Sequence, residues 1–313
     1  MNYIVSEEKY DKHVRLRKWY YRLVIWALAL LVLVALTHHS DWNATLSQAS
    51  EISFPVVLIC TAGWILSFVF RALRFISEWQ KVGAVTFFSA MRLTFFHNAT
   101  VLLVPFRIGE LGYPALVQNL LKVTWQQCIR SLLWMRLQDG LVLFFFALIF
   151  FPFIKFELRL LLLLAAVILF FSAKSFFSKM IRSRHFLMIQ IRSFLHHQNN
   201  SWGWVWSAAN WLVKIFVVAF LFSNLMHLPI SQTLKGALAG EMSAMLPVTG
   251  PAGFGTYEAS VWAGMALPWH DIKNLMASIL LSHVFFVFIS LSGAFIFILL
   301  DTLFLIKLAG ISK

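Results

Sequence analysis

Arg107 and Glu110 lie three residues apart in Leu103-Val-Pro-Phe-Arg-Ile-Gly-Glu-Leu-Gly112, a polar interruption between two apolar runs. Arg136 and Asp139 repeat the three-residue spacing inside the next apolar segment, which places them on one helical face. A second interruption, Met245-Leu-Pro-Val-Thr-Gly-Pro-Ala-Gly-Phe-Gly-Thr-Tyr-Glu258, carries Thr249, Thr256, Tyr257 and Glu258, and Glu241 precedes it. Lys214 is one more charge deep in an apolar run. A charge at the centre of a bilayer costs roughly 3 kcal/mol on insertion scales, so such groups face the protein interior and mark function.

The chemistry these residues suit is anion recognition. A guanidinium offers forked donors to a phosphate, which suits Arg107, with Glu110 as its orienting partner or a proton-coupling group. Arg107 and Glu110 could equally pair with each other to brace the turn. Arg136 and Asp139 either complete an interior polar cluster with them or form a salt bridge at the cytoplasmic edge. Tyr257 and Glu258 open a helix whose positive end favours an anion, although Glu258 could simply satisfy that dipole. Lys214 is a counter-ion for Glu241 or Glu258, or a second phosphate contact. His38-His39 and His196-His197 lack metal-ligand spacing, and His97 and His283 read as hydrogen-bonded core residues. No cofactor or metal is expected, nor a nucleotide, since GxGxxG and GxxxxGK[ST] are both absent.

The elements that hold these residues must live in a membrane. Sixty per cent of the 313 residues are hydrophobic and 12% charged, which excludes an ordinary soluble domain. The net charge of +13 sits in short basic clusters between apolar runs, the positive-inside distribution rather than a nucleic-acid surface. Cys60 and Cys128 form no disulfide framework. Spans are expected over 23–36, 53–70, 131–153, 158–171, 204–226 and 276–300, with both termini cytoplasmic and no cleavable signal. The loop His38–Glu51, without Lys or Arg, should face outside, and Arg71, Arg74 and Lys81 should follow the second span in the cytoplasm. The segment 174–201 is a basic cytoplasmic loop or an amphipathic helix on the inner leaflet.

Between these spans the apolar runs break at Pro105 and Gly109, and again at Pro247, Gly250, Gly253 and Gly255. The flanking pieces, 86–104 with 111–121 and 233–246 with 257–267, read as two re-entrant hairpins, one from each membrane face. Irregular backbone at membrane depth is tolerated only inside protein or beside a water-filled cavity. The fold expected is therefore an all-α polytopic membrane protein with about six spans and two broken-helix hairpins. Its transmembrane domain covers 23–306 between cytoplasmic segments 1–22 and 307–313. It holds inverted repeats over about 53–153 and 204–300, a recurring carrier design.

The two break motifs, with Arg136-Leu-Gln-Asp139 and Arg71-Ala-Leu-Arg74, resemble the flippase-like transmembrane region of lysylphosphatidylglycerol synthases and related stand-alone membrane proteins. The resemblance covers about 20–300. It implies movement of an anionic phospholipid or polyprenyl-phosphate lipid between leaflets of the inner membrane, with Arg107, Glu110, Arg136, Asp139, Tyr257 and Glu258 at matching motif positions. No aminoacyl-transferase domain is expected beside this region, so synthesis of a lysyl-lipid is not implied. An integral-membrane enzyme using Glu110, Asp139 or Glu258 as general base, an accessory subunit of an envelope-synthesis machine, and a homo-oligomer remain open.

Overall fold

The computed structural model describes residues 42–104, 107–151, 202–246, 249–267 and 272–311, with scattered positions between 155 and 164. The first expected span, most of the span over 158–171, the basic loop 174–201, and both Pro105 and Pro247 lie outside the described residues.

All regular structure among the described residues is helical. A short helix α1 (Trp42–Glu51) leads into α2 (Phe54–Trp79), α3 (Phe87–Leu103), a 3₁₀ turn (Ile108–Leu111), α4 (Gly112–Leu121) and α5 (Trp125–Phe150). Then come α6 (Trp202–Met226), α7 (Ile230–Ser243), a second 3₁₀ turn (Pro251–Gly253), α8 (Thr256–Met265) and α9 (Ile272–Ile311). Four helices are long and apolar enough to cross a bilayer: Phe54–Trp79, Trp125–Phe150, Trp202–Met226, and Leu275–Leu303 within α9. The protein is an integral membrane protein. Its outer surface carries Leu58, Ile65, Leu133, Phe144, Phe288, Phe295 and Leu299 in exposed positions, which suits contact with acyl chains. The 10-residue helices α4 and α8 are only about 15 Å long, half of the hydrocarbon thickness.

Local sequence fixes the ends. The Thr86 hydroxyl accepts from the Ser89 amide at the start of α3, and Thr124 and Gln127 form a reciprocal capping box at the start of α5. Lys122 and Ala266 adopt left-handed backbone just beyond α4 and α8 and stop those helices. Two expectations need correction. The segment His38–Glu51 is not a plain loop: Trp42–Glu51 is helical, and its Ala49 packs on the main core. The second span does not end at Phe70. It continues to Trp79, because Phe75, Ile76 and Trp79 extend its apolar face into a second core cluster with Tyr113 and Val117. Arg71 and Arg74 are consequently inside the helix and the bundle, not in a cytoplasmic loop.

Side-chain contacts give the helix directions. Gly63 lies against Val217 and Phe70 stacks on Trp206, so α2 and α6 run antiparallel. Trp134 meets Trp204 and Phe150 meets Phe216, so α5 and α6 run parallel. Phe88 meets Phe297 while Phe95, seven residues on, meets Gly293, four residues back, so α3 and α9 run antiparallel. The end of α2 and the start of α5 therefore share one end of the bundle, and the end of α6 and the start of α9 share the other. Among the described residues, 54–150 and 202–311 have the same order: a long helix, two shorter antiparallel ones, then another long helix.

Candidate functional site

The first break begins where α3 ends. Arg107 takes left-handed backbone (φ 55°), a conformation costing about 1–3 kcal/mol for a residue with a side chain. Gly109 then approaches α3 so closely that a Cβ there would stand 2.0 Å from the Thr100 carbonyl oxygen. The Thr100 hydroxyl donates to the Gly109 carbonyl at 2.9 Å and pins the turn. The turn leaves Glu110 facing two guanidinium groups. Arg107 Nη1 donates to its Oε1 at 2.8 Å, and Arg136 Nε on α5 donates to its Oε2 at 3.0 Å.

The second break uses the same device. Ala252 has left-handed backbone (φ 52°), and Gly253 and Gly255 have φ of 88° and 87°, values that glycine alone adopts cheaply. Glu258, fully buried in the first turn of α8, accepts from the Gly255 amide at 2.6 Å and contacts His283 Nδ1 on α9 at 2.5 Å. His283 Nε2 lies 3.1 Å from the Ala252 carbonyl. Both ring nitrogens thus face acceptors. Both contacts are hydrogen bonds only while the His283–Glu258 pair holds one proton more than neutral imidazole and free carboxylate carry.

The two breaks meet. Between them lies a cavity of about 160 Å³, lined from the first side by Asn98, Val104, Arg107 and Glu110 and from the second by Thr249, Gly250, Ala252, Gly253, Tyr257 and His283. The long helices complete its wall with Trp64, Arg71, Arg136, Asp139, Asn210, Trp211 and Lys214, and α7 adds Glu241. A smaller cavity of about 50 Å³ adjoins it through Arg71, Arg136 and Asp139 and reaches His97 and Tyr113. Buried charges in such a low-dielectric space are tolerated when paired. Lys214 Nζ lies 2.6 Å from Glu241 Oε2 and sits over the rings of Trp64 and Trp211, 4.8 and 5.1 Å from their centroids. Asp139 Oδ1 accepts from Arg74 Nη1 (2.6 Å), Ser207 (2.8 Å) and Trp211 Nε1 (2.8 Å), and so ties α2, α5 and α6 together.

Residues 21–293 match the family described as the lysylphosphatidylglycerol synthase TM region. The chain belongs to that family. No match to the chain was found among curated proteins. Membership in the lysylphosphatidylglycerol synthase TM-region family points to a membrane role connected with lipid.

Of the family-motif residues singled out in the sequence, Arg107, Glu110, Arg136, Asp139 and Tyr257 line the cavity together with Lys214 and Glu241. Lys214 is the counter-ion of Glu241, not of Glu258. Glu258 does not reach the cavity: it is sealed behind His283, which presents the ring instead. Thr256 is occupied locally, donating to the Gly253 carbonyl at 3.0 Å. Gly109, Gly253 and Gly255 shape the turns, and Gly250 lines the cavity. The sequence reading missed Arg71, Asn98, Asn210 and His283 as lining residues. A signal existed for Arg71: it falls three residues before Arg74 within one helical repeat, so the two arginines share a face that the apolar continuation to Trp79 carries into the core.

Proposed function

We propose that the protein is a lipid carrier that passes an anionic headgroup between membrane leaflets through the cavity between its two breaks, while the acyl chains stay in the bilayer. In this reading the two short antiparallel pairs, α3 with α4 and α7 with α8, are re-entrant hairpins from opposite faces. The segments around 53–153 and 204–300 are inverted repeats, and the complete chain crosses six times. The helix directions support this, because each short pair starts and returns at one end of the bundle, and the two pairs do so at opposite ends. Lys81 and Lys122 flank the first pair, which favours a cytoplasmic location for that end, with both termini there and the plasma (inner) membrane as the host bilayer.

The observation that carries the proposal is the meeting of both breaks at one charged cavity inside an apolar bundle. Broken helices near the bilayer midplane, with side chains and free backbone groups facing a shared space, are how carriers shelter a polar cargo. Arg107 and Arg136 supply positive charge near Glu110, and Asn98 and Asn210 supply neutral polar contacts.

The test is exchange of a fluorescent anionic phospholipid in vesicles reconstituted with the purified protein, followed by quenching of the outer leaflet without ATP. Exchange above protein-free vesicles, cut about tenfold or more by Arg107→Ala, is the expected result. Exchange equal in the variant and the parent would remove the cavity from the path. Chemical conversion of the lipid without exchange would instead favour a membrane enzyme.

A further inference from the structure

The cavity's charges do not balance. Arg107 and Arg136 share the single carboxylate of Glu110, Arg74 is matched by Asp139, and Lys214 by Glu241. Arg71 lines both cavities, yet among the described residues its side chain donates from Nη1 to Asn98 Oδ1 at 3.2 Å and lies over the Phe68 ring, 5.7 Å from the guanidinium carbon. No carboxylate is paired with it among the described residues. Among the described residues, five cations around the two adjoining cavities, Arg71, Arg74, Arg107, Arg136 and Lys214, thus face three carboxylates, Glu110, Asp139 and Glu241, an excess of two positive charges. Glu258, fully buried behind His283, lines neither cavity. Asn210, only 4% exposed, contributes a second sign of a missing ligand: it lines the cavity, and its buried side-chain oxygen has no hydrogen-bond partner among the described residues.

We infer that the headgroup this cavity selects is a phosphate monoester, bound by the unshared guanidinium of Arg71. This deepens the carrier reading and rests on it. A phosphodiester lipid brings one negative charge. A phosphate monoester carries about 1.5 to 2 negative charges near pH 7, its second pKa being about 6, and presents three strong acceptor oxygens. The monoester therefore compensates the full excess of two, and a diester leaves one buried cation uncompensated. The Asn98 contact holds one edge of the Arg71 guanidinium and leaves the rest of its forked donor set for the phosphate. The terminal phosphate also keeps one proton part of the time, and that P–O–H suits the vacant acceptor of Asn210.

The experiment compares vesicles holding the purified protein and a trace of acyl-labelled phosphatidic acid, a monoester, with vesicles holding phosphatidylglycerol of the same chains, a diester. Near neutral pH the monoester is expected to exchange about tenfold faster or more, the worth of one charge-assisted contact. That preference should shrink as pH is lowered to about 5, where the monoester loses its second charge and the diester does not change. Arg71→Gln should abolish the preference, bringing the ratio of the two rates to about one, and Arg71→Lys should restore part of it. Equal rates for both lipids in the parent protein, or a preference indifferent to pH, would overturn the inference while leaving the carrier reading intact, and neither result depends on a variant folding. No exchange of either lipid would overturn both. Glycerol 3-phosphate trapped inside the vesicles should stay there; its release would show that the monoester carried is a soluble one and not a lipid.

Discussion

Glu110 holds two guanidinium groups from different elements, Arg107 across the break and Arg136 on α5. Removing its charge leaves two part-buried arginines facing each other without a carboxylate. Glu110→Gln should therefore destabilise the protein by roughly 1–3 kcal/mol, the range for losing a charged hydrogen-bond partner. Arg107→Gln should cost less, because Glu110 keeps Arg136. Thermal unfolding of both variants in detergent checks the order. The His283–Glu258 pair makes a second prediction at this scale. His283 joins α9 to Glu258 and to the Ala252 carbonyl, so His283→Ala should lower the melting temperature by removing both contacts, and an unchanged melting temperature would refute that role. The sequence made these residues visible unevenly. Lys214, Arg107 and Glu110 stood out because nothing charged belongs in such apolar surroundings. Arg71 and Arg74 read as loop residues because arginines after an apolar run look alike whether they end a span or lie within it. Only the partner on another helix, Asp139, tells them apart.

The short pair α7 and α8 depends on close backbone approach. A Cβ on Gly264 would stand 2.5 Å from the Ala239 Cβ and 2.7 Å from the Lys235 carbonyl oxygen. Gly264→Val should therefore wedge the two helices apart at a cost of about 1–3 kcal/mol, and the turn that lines the cavity should become open to protease. Unchanged proteolysis within 249–255 would refute the packing. The breaks, the half-length helices beside them and the four long helices were all legible, because Pro, Gly and charge interrupt apolar runs at spacings too short for a span. The extent of α2 and the helix at Trp42–Glu51 were not, since each is held by tertiary contacts: Phe75 and Trp79 by Tyr113, and Ala49 by the main core. The pairing of Glu258 with His283 was equally hidden, because 25 residues and a helix boundary separate them in the chain.

At the scale of the whole molecule, two segments with the same order of elements place their breaks on either side of one cavity, and the long helices that bound it supply the charges. Its excess positive charge, its buried unpartnered asparagine oxygen and its position between broken helices all fit the passage of an anionic headgroup. If the breaks form the walls of that passage, joining them must close it. The direct test is a Val104→Cys, Thr249→Cys protein, treated with a short cleavable bis-maleimide and assayed for lipid exchange in vesicles; the native Cys60 and Cys128 are buried. The cross-link should form, exchange should fall to the protein-free level, and cleaving the linker should restore it. Exchange that continues with the two breaks joined would rule out a passage between them.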